Sequence, residues 1–138
     1  ASASVIYSDL CVPGLEGRVL VGLRQNEPAK DWWFVPGGSI RKGERLDEAF
    51  ARICRNELGR PFSREQATLR GVYEHLYDAN FAEVEGVGTH YVVLGYDLAL
   101  DEPLGELPTN QHGRYLWLTP EEIVGRDDVH VNTRAYFV

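Results

Sequence analysis

The sequence predicts an α/β (α+β) domain in which a mixed β-sheet is layered between helices. Three observations predict it. Five segments have the apolar composition of strands, one segment has the periodicity of an amphipathic helix, and two short helical segments follow the last strand. Strands with helices before and after them are typical of an α/β/α sandwich, because each helix buries its apolar stripe against a sheet.

The predicted strands are separated by clear turn signals. Residues 4–12 and 18–24 form two strands joined by the turn PGLEG. Three further strands are predicted at residues 69–81, 88–100 and 113–119, with a glycine-containing loop between the first two of them. The turn residues glycine and proline end each run because they favour backbone conformations that a strand does not use.

The predicted helices have recognisable ends. The main helix covers residues 45–58 and ends at Gly59, which can adopt the left-handed conformation of a helix C-terminus. Thr119 is the predicted cap of a second helix, with Pro120 at its first position. A short terminal helix is predicted at residues 132–138.

Composition and charge narrow the class of protein. The 138 residues form one predicted domain, 1–138, with a net charge of −7, which disfavours nucleic-acid and membrane partners. No apolar run approaches transmembrane length, and the first residues do not form a signal peptide. Cys11 and Cys54 lie in apolar contexts and are expected to be buried free thiols. We therefore predict a cytoplasmic protein.

Glu57 interrupts the apolar stripe of the main helix. That stripe consists of Leu46, Phe50 and Ile53. Four residues on from its last member stands Glu57, and a carboxylate facing a core is costly unless it is paired or binds a cation. The residue either frays outward at the helix end, pairs with an arginine, or is a metal ligand facing the Gly-Gly turn. Glu48 and Arg52, four residues apart, can form a surface ion pair.

The segment GGSIRKGERLDEAFARICRNELG resembles the Nudix box, G-x5-E-x7-R-E-U-x-E-E-x-G-U, where U is a bulky apolar residue. The matching residues are Gly38, Glu44, Arg52, Glu57 and Gly59. Ile53 and Asn56 replace two glutamates that help Nudix enzymes to bind several divalent cations, and Arg60 replaces the last apolar position. The resemblance implies a Nudix-type α/β/α sandwich with its box at 38–60, in which Arg52 orients the box carboxylates.

Further segments resemble a Nudix subgroup that lacks the same two glutamates. GVYEHLYDANF, THYVVLGYDL, NQHGRYLWL and DVHVNTRAYF are similar to the corresponding stretches of the GDP-mannose mannosyl hydrolases. This resemblance implies hydrolysis of GDP-mannose, and of GDP-glucose, to GDP and free sugar. Water attacks the anomeric carbon with inversion, whereas ordinary Nudix enzymes cleave a phosphorus–oxygen bond of the diphosphate.

The same resemblance assigns roles to five residues. His112 is the implied general base, and an imidazole suits this task near neutral pH. Arg24 assists departure of the diphosphate, and Asp9 lies near the sugar. His75 assists substrate binding and stabilises the leaving group, and Tyr91 donates a hydrogen bond to the diphosphate.

The resemblance also implies one Mg²⁺ per subunit, for which Mn²⁺ can substitute. Its ligands would be the carboxylate of Glu57, the side chain of Gln111 and the backbone carbonyl of Gly37. An amide and a carbonyl keep the charge of the site low, which suits one hard cation. A homodimer is expected because nucleotide sites in this subgroup lie close to a subunit interface.

One departure from the subgroup concerns the leaving group. Ser39 stands where the subgroup has a second arginine that assists GDP departure, and Arg41 or Lys42 are the nearby cations that could replace it. His90 and His130 are expected to be structural.

Three functions therefore stay open. The first is hydrolysis of GDP-mannose at the anomeric carbon. The second is cleavage of the diphosphate of a nucleotide sugar by a Nudix pyrophosphohydrolase. The third, favoured by Ser39, is binding of a nucleotide sugar without catalysis. The sequence leaves the preference among GDP-hexoses open.

Overall fold

The strands of the computed structural model, which describes residues 5–25, 29–77, 89–109 and 112–138, form two sheets. The mixed sheet has the order β4-β1-β6-β5, in which β1 and β6 are parallel and the other neighbours antiparallel. Its strands are β1 (Val5–Cys11), β4 (Gly37–Ser39), β5 (Ala67–Tyr77) and β6 (Thr89–Leu98). The antiparallel sheet has the order β3-β2-β7, with β2 at Val19–Arg24, β3 at Trp33–Phe34 and β7 at His112–Leu118.

Within the described residues, three α-helices and three 3₁₀ turns accompany the sheets. They are α1 (Leu46–Leu58), α2 (Pro120–Gly125), α3 (Val131–Arg134) and the turns Leu15–Gly17, Arg64–Gln66 and Ala135–Phe137. Gly59 ends α1 with φ 89°, a conformation that a side chain would strain. At the start of α2, the Thr119 hydroxyl accepts the Glu122 N–H at 3.1 Å, and the Glu122 carboxylate accepts the Thr119 N–H at 2.9 Å.

Alternate residues of the central strands face two separate apolar clusters, and this produces the layers. Leu10 of β1 packs with Phe50 of α1, whereas its neighbour Cys11 packs in the cluster that contains Ile123 of α2. Successive side chains of a strand point to opposite faces, so one strand serves both clusters. The predicted α/β/α arrangement with a mixed sheet is confirmed, and both cysteines are buried and free.

Two local predictions are wrong. The Gly-Gly segment is not a turn, because Gly37–Ser39 forms strand β4 and pairs with β1. Arg52 pairs with Glu44, at 2.8 Å, and not with Glu48, whose carboxylate accepts the Arg45 N–H at the start of α1. Of the predicted strands, residue 4, residues 78–81 and residue 88 lie outside the described residues. Within the described part of the chain, no helix is long and apolar enough to cross a membrane.

Candidate active site

Glu57 is buried at the inner face of α1, with 5% of its surface exposed. Its Oε1 accepts the Gly37 N–H at 3.2 Å and lies 3.0 Å from Nε2 of His112. The carboxylate therefore neither frays outward nor pairs with an arginine. Its partners come from β4 and β7, so Glu57 joins the main helix to both sheets.

His112 begins β7 and is almost fully buried. Its contact with a carboxylate favours the tautomer with hydrogen on Nε2, which leaves the lone pair on Nδ1. Nδ1 is buried and has no hydrogen-bond partner among the described residues. Gly22 of β2 makes room for the ring, because a Cβ at that position would lie 2.6 Å from Nδ1. Sequence reasoning did not identify this requirement for glycine.

Asp9 lies beside the Glu57 pair. It is opposite Gly37 in the β1–β4 register, and a Cβ on Gly37 would collide with its carboxylate. The pKa of Asp9 is raised to about 7, mainly by burial and in smaller part by the nearby charge of Glu57, while a hydrogen bond from the Tyr136 hydroxyl, at 2.6 Å, lowers it. The three predicted residues Asp9, Gly37 and Glu57 are thus brought together.

His75 and Tyr91 form a second group on the mixed sheet. They are opposite each other in the β5–β6 register, and the ring of Tyr7 on β1 lies 5.0 Å from that of Tyr91. Burial raises the pKa of both phenols, so each keeps a hydrogen to donate at neutral pH. Burial also lowers the pKa of His75, which favours a neutral ring.

Arg24 connects the two groups. It ends β2 opposite His112, after a register shift that follows Leu23. Its positive charge opposes the upward pKa shifts of Tyr7 and Tyr91, so Arg24 acts electrostatically on both phenols. The site therefore has an acidic part around Glu57 and a part rich in hydrogen-bond donors around Arg24.

Several buried polar atoms of the predicted site residues have no hydrogen-bond partner in the part of the chain that the structure describes. Among the described residues, Arg24 Nε, His75 Nε2 and His112 Nδ1 make no hydrogen bond, and the same holds for Nε of Arg60 and of Arg134. An unpaired buried polar atom costs about 1–3 kcal/mol, so such atoms point to a missing partner such as water or a ligand. Three of the five belong to residues that the sequence analysis assigned to the site.

The structure describes two of the three expected metal ligands, Gly37 and Glu57. Gln111 lies outside the described residues. Within the described ranges, no cluster of three or more His, Cys, Asp or Glu side chains is placed to hold a metal ion. The buried carboxylate of Glu57, next to the Gly37 main chain and near Asp9, still provides oxygen atoms of the kind that a hard cation prefers.

Comparison with known proteins gives the family. A NUDIX domain model matches residues 9–138, so the chain belongs to the Nudix family and is a Nudix hydrolase. It is 41% identical, over 115 residues, to the low-salt glycan biosynthesis protein Agl8 of Haloferax volcanii, covering 83% of this chain and 70% of that protein. It is 27% identical, over 103 residues, to the nucleoside triphosphatase NudI of Escherichia coli K12, covering 74% and 71%.

Solved structures agree on the fold. A MutT NUDIX hydrolase from Burkholderia pseudomallei superposes with a TM-score of 0.78 at 23% identity, covering 99% of this chain and 97% of that one. The MutT protein of Methanosarcina mazei gives a TM-score of 0.77 at 18% identity, covering 99% and 91%. These likenesses establish the Nudix fold.

Sequence reasoning missed three residues at the site. Tyr7 stands two residues before Asp9, so strand alternation could have placed both on one face. Gly22 and Tyr136 gave no comparable signal. Their importance depends on His112 and Asp9, which are distant in sequence.

Proposed function

We propose that the protein hydrolyses GDP-mannose, and GDP-glucose, to GDP and free sugar by attack of water at the anomeric carbon. The observation that supports this best is the buried pair between Glu57 and His112. In this pair a histidine, and not a second box glutamate, lies beside Glu57 of the Nudix box. Arg24, opposite His112, supplies a cation for the diphosphate.

In this mechanism His112 takes a proton from the attacking water. Its Nε2–H donates to Glu57, so Nδ1 is the nitrogen that accepts the proton. The ring becomes positively charged, and the Glu57 carboxylate at 3.0 Å stabilises that charge. Burial of both side chains keeps bulk water from screening the interaction.

GDP then departs with negative charge on its diphosphate. Arg24 and the protonated phenol of Tyr91 donate hydrogen bonds to it, and His75 adds a donor from the neighbouring strand. Mg²⁺, bound through Glu57, the Gly37 carbonyl and Gln111, would neutralise part of the diphosphate charge. Asp9 would contact the sugar.

The name of the Haloferax relative, a glycan biosynthesis protein, agrees with a substrate that contains a sugar. A second candidate is cleavage of the diphosphate itself. It is favoured by the name of NudI, a nucleoside triphosphatase, and by the proximity of Asp9 to Glu57, which places two carboxylates near one another. A non-catalytic nucleotide-sugar binder is the third candidate, because of Ser39.

Hydrolysis of GDP-mannose in ¹⁸O-labelled water, with Mg²⁺, distinguishes the three. Attack at the anomeric carbon places the label in the free sugar and leaves GDP unlabelled. Label in GMP or in the sugar phosphate would overturn the proposal in favour of diphosphate cleavage. Binding without turnover would establish the non-catalytic candidate.

Ser39→Arg tests the departure from the subgroup. Ser39 is opposite Tyr7 in the β1–β4 register, so its side chain shares a sheet face with Tyr7 and Asp9. We expect an arginine there to raise kcat roughly tenfold, the value of one added charge-assisted hydrogen bond to the leaving group. Ser39→Gln, which adds length without charge, is the control. An unchanged kcat in both variants would mean that Arg41 or Lys42 already supplies the cation.

We further propose a cytoplasmic homodimer of single-domain subunits over 1–138, each with one Mg²⁺ that Mn²⁺ can replace. Nucleic acids and membranes are not proposed as partners, since the net charge is −7. Sedimentation of the purified protein at micromolar concentration tests the dimer, and a monomer alone would contradict it.

A further inference from the structure

Tyr136 lies in the last turn of the chain, yet its hydroxyl reaches the candidate site. It donates to Oδ2 of Asp9 at 2.6 Å, across 127 positions of sequence. We propose that Tyr136 is a positioning residue that holds the Asp9 carboxylate in its working orientation and so makes the C-terminal turn part of the site. The inference relies on the proposed function only for the role of Asp9.

The ring of Tyr136 is fixed by its surroundings. It is buried, with 4% of its surface exposed, and meets the Tyr73 ring edge to face at a centroid distance of 4.6 Å. Gly95 of β6 leaves the space that both rings use, because a Cβ there would lie 3.0 Å from Tyr73 and 3.1 Å from Tyr136. A ring held on several sides aims its hydroxyl in one direction.

The backbone of the turn is fixed as well. Arg70 of β5 donates through Nη2 to the Tyr136 carbonyl at 2.6 Å and through Nη1 to Asp97 at 2.8 Å. Its guanidinium also lies 5.0 Å from the centroid of the Phe137 ring. Arg70 therefore ties the end of the chain to the sheet that presents Asp9.

The Asp9 carboxylate has different neighbours on its two oxygens. Oδ2 accepts the Tyr136 hydroxyl, and Oδ1 is directed at Gly37, where a Cβ would collide with it. The hydroxyl thus determines which oxygen faces β4 and, through β4, the region of Glu57. A phenylalanine would fill the same space in the core but would leave the carboxylate free to rotate.

A double-mutant cycle tests the proposal. Tyr136→Phe, Asp9→Ala and the double variant are compared with the wild type by kcat and KM, and by urea unfolding. We expect Tyr136→Phe to lower kcat/KM at least about tenfold, mainly through kcat, because a hydrogen bond to a carboxylate is lost. If Tyr136 acts through Asp9, the double variant loses no more activity than Asp9→Ala alone.

Tyr73→Phe is the matched control, because it removes a hydroxyl from the ring packed against Tyr136 and leaves the Asp9 bond intact. Equal losses in Tyr73→Phe and Tyr136→Phe, additive losses of activity in the cycle, or the absence of any coupling between Tyr136 and Asp9 in the unfolding data would each overturn the proposal. The assay uses GDP-mannose or, if the wild type does not hydrolyse it, the nucleotide that the wild type hydrolyses fastest with Mg²⁺. Failure of GDP-mannose turnover thus counts against the proposed function, while the cycle still decides the role of Tyr136.

Discussion

Helix α1 and the segment before it each contribute a glutamate to a pair of polar side chains, and the two pairs differ in how many of their polar atoms have hydrogen-bond partners. In the first, Arg52 donates to Glu44 through Nε at 2.8 Å and through Nη2 at 2.9 Å, and to the Ser39 carbonyl at 2.7 Å. Glu44 also accepts the Arg41 N–H. The hydrogen bonds from Arg52 hold the pKa of Glu44 down at about 2, so this pair is charged throughout the neutral range.

The second pair, between Glu57 and His112, is more deeply buried, with side chains 7% and 4% exposed. Its known contacts use a single carboxylate oxygen, and Nδ1 of His112 has no partner among the described residues. The Arg52–Glu44 pair forms its hydrogen bonds within the chain, as expected of a structural ion pair. The Glu57–His112 pair leaves a polar atom available to a ligand, as expected of a functional site. Four predictions test this difference.

The largest expected effect follows from His112→Gln. Removing a general base lowers kcat by roughly 10²–10⁴-fold, and KM should change little because the imidazole contacts water and not GDP. Steady-state kinetics on GDP-mannose measure both. His90→Gln is the control, because His90 forms an exposed pair with Glu74. A near-normal kcat in His112→Gln would show that another group is the base.

Glu57→Gln should remove most activity, on the order of 10²-fold, because the amide can still accept the Gly37 N–H but gives a cation much weaker binding. Calorimetric titration with Mg²⁺ should show one site per wild-type subunit and loss of that site in the variant. Glu48→Gln on the same helix, where the residue is exposed, is the control. A second tight site in the wild type would contradict the view that Ile53 and Asn56 mark lost ligands.

Arg52→Gln should act mainly on stability. The variant loses the three hydrogen bonds that Arg52 donates to Glu44 and to the Ser39 carbonyl, so we expect Tm to fall by a few degrees. The loss of kcat should be far smaller than in Glu57→Gln. Thermal unfolding and steady-state kinetics on the same preparations test this. A fall in kcat as large as that in Glu57→Gln would show that the Arg52–Glu44 pair contributes to catalysis.

His130→Asn replaces a buried histidine at the start of α3. The Nδ1 atom of His130 accepts a hydrogen bond from the Asn132 N–H at 3.1 Å. Burial lowers the pKa of His130 from 6.5 to about 4, with smaller contributions from His75 and Arg134. Between these values the unfolded chain binds the proton and the folded chain does not. The free energy of unfolding therefore rises with pH across this window. The contribution of His130 to stability is lost as pH falls from 6.5 to 4.

The expected size of this pH effect is about 2–3 kcal/mol. Asparagine is a good helix cap and can still accept the N–H at the start of α3, so His130→Asn should keep the fold while removing this slope. Urea unfolding at pH 4.5 and 6.5 measures it. An equal slope in the variant and the wild type would assign the pH dependence to other groups.

Local features of the site could be predicted from the sequence because their signals are local. The apolar stripe of α1 directs Glu57 inward, and it is buried. Gly59 and Thr119 mark helix ends at the expected positions, since capping depends on residues within one turn. The resemblance of residues 38–60 to the Nudix box indicated the family, which the match over residues 9–138 confirms.

Partners distant in sequence could not be predicted in this way. For Arg52 the helical spacing indicated Glu48 as partner, but the path of the chain before α1, together with the β4 backbone, selects Glu44. Strand β4 has only three residues, two of them glycine, so its composition resembles a turn, and only pairing with β1 makes it a strand.

By itself, the sequence determined the helix ends, most of the strands and the inward direction of Glu57, because periodicity and capping act over a few residues. Only the tertiary structure decided that His112 is the partner of Glu57 and that Tyr136 reaches Asp9. These contacts join strands, a helix and a terminal turn that no sequence spacing relates. They form because a buried polar group is costly without a hydrogen-bond partner, and packing of the helices and strands brings a complementary atom within reach.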